Sequence, residues 1–149
     1  MRVLIRKDSS EEFSKKCNKV MEITTKFLSM KNVAWLLDIP AAIKFDFTEN
    51  RSFYTPHDKT ITIANKDEMV MVTNLIHELG HVLMSKQSLL NQFKISFKHI
   101  IANKEWYPSD YAKQSSFEMF AEMFLYYIIE GLEEKRNAWM AKFLNSAKI

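Results

Sequence analysis

Between Phe117 and Phe124 the chain reads FEMFAEMF, an apolar stretch that nevertheless carries two carboxylates. Phe117, Met119, Phe120, Met123 and Phe124 are closely spaced, and on a helix Glu118 and Glu122, four residues apart, lie one above the other. The neighbours on their face are Ala121, Leu125 and Ile129, while Phe120, Met123, Phe124 and Tyr127 take the far side. A helix apolar nearly all round belongs in a core, and a buried carboxylate with no cation or donor beside it costs several kcal/mol. The fold must therefore enclose this helix and bring a positive partner to its carboxylates.

The stretch NLIHELGHVLM offers one. His77, Glu78 and His81 form the pattern HExxH, whose spacing turns two imidazoles the same way on a helix, close enough to share a tetrahedral zinc. The intervening Glu is then placed to polarise a water on the metal. At about 100° per residue, Val72, Leu75, Leu79, Val82 and Leu83 gather on the opposite side, so one face anchors the helix and the other presents the histidines. Two histidines need a third ligand, and Glu118 supplies it while leaving a fourth position open, as in catalytic zinc sites. Glu122, one turn on, is placed to hydrogen-bond a ligating imidazole. Salt bridges to Lys or Arg, or a more exposed helix face, are the structural alternatives for the pair. Glu105 in a loop, His99 in a lysine-flanked helix and His57 in a turn are weaker ligands, and HVLMSKQ lacks the Gly and His of a metzincin.

The rest of the chain reads as helices around a small sheet. Residues 2 to 7 form a short strand, and Ser9 with Glu12 makes a capping box for a helix reaching about Met30. Alternation in IKFDFTE and KTITIAN predicts two half-buried strands that pair. Helices follow over Asp67 to about Lys86 and Leu89 to Asn103. Then KEWYPSDYAKQSS forms a loop, with Ser115 or Ser116 capping a helix that stops at Gly131. A last helix covers about Glu133 to Ser146. The expected class is α+β, mostly helical and zincin-like, with the small sheet beside the HExxH helix.

HELGHVLM followed by YPSDYAKQSSFEMFAEMFLYY resembles the catalytic domain of the anthrax toxin lethal factor-like zinc metallopeptidases, a family that includes secreted clostridial proteases cutting between prolines. The similarity runs from about Thr60 to the C-terminus. It implies that His77, His81 and Glu118 hold Zn2+, that Glu78 is the general base, and that Tyr111, seven residues before Glu118, stabilises the oxyanion or protonates the leaving group. Glu122 is then a supporting carboxylate. By the same resemblance KTITIAN is the strand beside the cleft, to whose edge a protein or peptide substrate adds in extended form. The relatives are exported and carry further domains. Phage-repressor-cleaving peptidases of the ImmA type share HELGH and a later Glu, but usually end the second motif with a Pro-containing run absent from EMFLYYIIE.

Composition narrows the remaining classes. At 149 residues and 47% hydrophobic, the chain suits a single domain over 1–149. A net charge of +3 and the absence of a basic run beside an aromatic platform argue against nucleic acid. No membrane span stands out, and the apolar run Val3 to Ile5 is too short for a signal peptide, so a cytoplasmic location is expected. Cys17 is alone, which excludes an internal disulfide. The expected function is a zinc-dependent endopeptidase, the alternatives being a repressor-cleaving regulatory peptidase and an inactive binding module that keeps the metallopeptidase shape.

Overall fold

The computed structural model describes residues 1–96, 98, 109–132 and 134–148. The fold is mixed α+β, with a four-stranded sheet and a majority of helix. Two compact units divide the chain, Met1–Glu78 and Leu79–Ile149. The boundary falls inside a single continuous helix. Among the described residues, no helix is long and apolar enough to cross a membrane.

The first unit holds β1 (Arg2–Ile5), α1 (Glu11–Met30), a 3-10 helix (Ala34–Asp38), β2 (Ala42–Asp46), β3 (Phe53–Thr55) and β4 (Thr60–Ala64). Parallel β1 and β2 require a crossover, which α1 provides. Its buried face repeats at helical spacing through Phe13, Cys17, Val20, Thr24 and Leu28. The cap is Ser10, one residue later than the sequence predicts. Ser10 Oγ accepts from the Phe13 N–H at 3.0 Å, whereas the Ser9 N–H donates to Arg6 O and closes the turn that leaves β1. Glu11 and Glu12 then occupy the first turn, where the helix dipole favours them.

The strand order is β1-β2-β4-β3. The two strands expected to pair do so, in parallel, with Ile43 opposite Ile61 and Phe45 opposite Ile63, all four fully buried. Two corrections follow. Phe47 lies beyond β2 and is exposed, while Thr62 and Ala64 are buried, so β4 is covered on both faces and not half-buried. Strand β4 is also interior, since β2 pairs along one side and β3 covers Thr60 to Thr62 along the other. Over Thr60 to Thr62, KTITIAN therefore does not present the free edge expected of it. The three residues of β3, which the sequence pattern does not signal, make the edge instead.

In the second unit, α3 (Gln87–Ser96), a 3-10 helix (Tyr111–Gln114), α4 (Ser116–Ile129) and α5 (Glu134–Ala147) follow the end of α2 (Glu68–Met84). Ser115 caps α4 by accepting from the Glu118 N–H at 3.0 Å. At the other end Gly131 adopts φ +84°, as anticipated, and its N–H reaches Tyr126 O at 2.7 Å. Met119, Phe120, Ala121, Met123, Phe124, Tyr127 and Ile128 of α4 are buried. Phe120 lies edge-on to Phe93 of α3 and against Phe143 of α5, which stacks on Trp139. Each such side chain removed from water contributes about 1.5–3 kcal/mol, so α4 is the centre around which this unit packs. Its glutamate face is less enclosed than the apolar pattern implies, with Glu122, Leu125 and Ile129 partly exposed.

Candidate metal centre

Helix α2 is more deeply set than a surface amphipathic helix. Val72, Leu75, Leu79, Val82 and Leu83 are buried as expected, and so are Met71, Ile76 and Met84; Met69 and Val70 at the entry are exposed, and Thr73, Asn74 and His77 are partly exposed. Polar side chains on the enclosed part of such a helix need partners. His77, Glu78 and His81 supply each other's surroundings: one ligand atom from each lies within 4.8 Å of the others, so this buried group could hold a metal ion. Glu78 and His81 are 8% and 5% exposed, and His77 is the most open of the three.

The start of α4 meets this group at His81. Glu118 Oε1 lies 3.1 Å from His81 Nε2, and its side chain retains 20% of its surface in solvent. The next residue back, Phe117, stacks on the imidazole with ring centroids 4.4 Å apart and planes 17° from parallel. Two consecutive residues thus hold one ring, Phe117 across its face and Glu118 at its Nε2. The Glu118 position also belongs to the first turn of α4, where backbone N–H groups point outward and favour a negative charge. The carboxylate that looked out of place in FEMFAEMF therefore has an imidazole and a helix N-terminus to face.

Gly80 makes the approach of these helices possible. A methyl group there would lie 2.9 Å from Ala121 Cα, closer than real side chains come, so a side chain at 80 would hold α2 away from α4. A glycine inside a helix costs about 1 kcal/mol relative to Ala, which close packing offsets here. The signal for Gly80 in the sequence is a glycine within a helical pattern, which marks close backbone approach. Phe117 reads in the sequence as core, and nothing there marks it as a partner for His81.

Comparison with protein-family models, curated proteins and solved structures found no match.

The remaining candidates fall as follows. Glu122 accepts a hydrogen bond from Ser109 Oγ at 2.9 Å, and Ser109 Oγ in turn accepts from the Ala112 N–H at 3.2 Å. A carboxylate has two oxygens and about four acceptor sites, so this bond and the role expected of Glu122 toward an imidazole are compatible. Tyr111 opens the 3-10 helix that leads to α4, and its side chain lies outside the described residues. His99 and Glu105 also lie outside them. His57 occupies the turn between β3 and β4, as expected of a residue in TPHDK.

Proposed function

We propose that the chain is a zinc-dependent endopeptidase of zincin-like architecture, with His77, His81 and Glu118 holding the metal, Glu78 as general base and Tyr111 as electrophilic helper. The observation that carries this reading is the contact between His81 and Glu118, which couples the HExxH helix to the one carboxylate that the pattern required. Two ligand atoms on a tetrahedral zinc, at bonds of about 2.0–2.1 Å, lie about 3.3–3.4 Å apart. The 3.1 Å between His81 Nε2 and Glu118 Oε1 is close to that edge. The donor set, two imidazoles and a carboxylate, is also the one that zinc takes in hydrolases.

When bound, zinc supplies Lewis acidity that makes water a nucleophile near neutral pH and polarises a carbonyl. The chain's own residues manage the proton and the charge. Glu78, next to His77 in sequence, takes the proton from the attacking water and delivers it to the leaving amine, so one carboxyl serves as base and then as acid. Tyr111 donates a hydrogen bond to the oxygen on which negative charge develops. The stack of Phe117 on His81 fixes the orientation of that imidazole before substrate arrives.

A second reading is favoured by the grouping of His77, Glu78 and His81 within 4.8 Å, a trio that does not include Glu118. In it Glu78 is a ligand and the site holds a metal without hydrolysing anything. Screening a peptide library with wild type and Glu78→Gln separates the two. The peptidase reading expects Glu78→Gln to retain zinc and lose cleavage by at least about 100-fold. Loss of metal from Glu78→Gln, with none from Glu118→Ala, would establish the second.

A further inference from the structure

Two serines bracket the stretch before α4, and both are fastened to that helix. Ser109 Oγ donates to Glu122 Oε1 at 2.9 Å, and Ser115 Oγ accepts from the Glu118 N–H at 3.0 Å. Glu118 and Glu122 are one turn apart on the same face, so residues 110–114 leave from one glutamate and return to the other. Within the stretch, Ala112 is fully buried and its N–H donates to Ser109 Oγ at 3.2 Å. The hydroxyl of Ser109 thus holds an N–H of the 3-10 helix Tyr111–Gln114 with its lone pair and ties that turn to Glu122 with its proton.

A 3-10 helix of this length has little stability of its own, and its hydrogen-bond geometry is poorer than that of an α-helix. Its position is set by what anchors it. The bond from Ser109 to Glu122 is charge-assisted and partly shielded from solvent, which makes it the stronger kind of anchor. We infer that Glu122, acting through Ser109, is a positioning residue that fixes the Tyr111-bearing turn against the Glu118 face of α4, and so governs turnover and not metal retention. This inference rests on the peptidase reading above. It assigns Ser109 and Ala112 a part in the site, although neither offers a ligand or a catalytic group.

The test compares full-length wild type, Ser109→Ala, Ser109→Thr and Glu122→Gln, with zinc added, on the library peptide that wild type cleaves fastest. In Ser109→Ala the Ala112 amide should exchange hydrogen faster, zinc content should match wild type, and kcat should fall on the order of 10- to 100-fold with KM little changed, as loss of position without loss of binding implies. Ser109→Thr, which keeps the hydroxyl, should restore kcat, and Glu122→Gln, which keeps an acceptor oxygen without the charge, should fall between. In a Tyr111→Phe background Ser109→Ala should add no further loss, because the latch acts through the turn that carries Tyr111. Wild-type kcat in Ser109→Ala, unchanged Ala112 exchange, or losses that multiply with Tyr111→Phe would each overturn the inference. A wild type that cleaves no library member while binding zinc would instead reject the peptidase reading on which it stands.

Discussion

Gly80 and Ala121 meet at backbone distance, with room for no side chain between them: a methyl on Gly80 would lie 2.9 Å from Ala121 Cα and 3.5 Å from the Phe124 ring. The next residue along α2 is His81, whose Nε2 faces Glu118, three residues before Ala121 on α4. Packing and chemistry are thus adjacent, since the contact that lets two helices close also sets the separation of a proposed ligand pair.

Gly80→Ala tests that link. In an ordinary helix the change would stabilise by about 1 kcal/mol, but here the new methyl meets backbone that cannot rotate away, and overpacking costs about 1–3 kcal/mol. A net loss of about 1 kcal/mol or more is expected in urea unfolding of the metal-free protein, together with weaker zinc binding. A variant as stable as wild type would show that the helices tolerate separation at this point.

Phe117→Ala removes the face on which the His81 ring rests. Such stacking contributes about 0.5–1.5 kcal/mol beyond area burial, and loss of a group that orients a metal ligand typically weakens metal binding about 10- to 100-fold. Titration with zinc against a competing chelator should show a drop of about 10-fold, with Phe117→Tyr close to wild type because it preserves the ring. Equal affinity in Phe117→Ala would mean that Glu118 and the helix backbone orient His81 unaided.

Acid sensitivity should trace to Asp46, at the end of β2. Its buried carboxylate accepts from Thr48 Oγ1 at 2.6 Å and from the Thr48 N–H at 3.0 Å, and Arg6 Nη1 lies 3.3 Å away. The Thr48 hydroxyl, against the opposing effect of burial and with help from the Thr48 N–H and Arg6, holds the acid down to about 2. An acid depressed in the folded state contributes stability that is complete above its unfolded value of about 3.9 and disappears as pH falls through 2. Urea unfolding of wild type should therefore weaken between about pH 4 and pH 2, and Thr48→Val should narrow that window by raising the folded value. A pH profile unchanged in Thr48→Val would assign the acid sensitivity to other carboxylates.

The helices were legible because their signals are local and redundant. Apolar spacing, Ser115 and Gly131 each mark α4 independently, and HExxH fixes the phase of α2 by itself. Where signals competed or depended on distant partners, sequence reading failed. Ser9 and Ser10 both precede acidic residues, and the choice between them was made by Arg6 O, which engages Ser9 from the turn after β1. The free edge expected of KTITIAN is occupied over Thr60 to Thr62, because β3, a strand of three residues with no clear alternation, pairs there. Phe117 has the same composition signal as the core phenylalanines around it, and its stack on His81 joins residues far apart in the chain.

The most direct test of the central claim is the zinc content of purified wild type beside Glu118→Ala and His81→Ala, each measured by elemental analysis after equilibration with limiting zinc. If His77, His81 and Glu118 hold the metal, wild type should carry about one zinc per chain, and each variant should lose most of it at the same free zinc, as removal of one of three protein ligands implies. Equal zinc in wild type and Glu118→Ala would contradict the claim, and would leave His77, Glu78 and His81 as the metal-binding group.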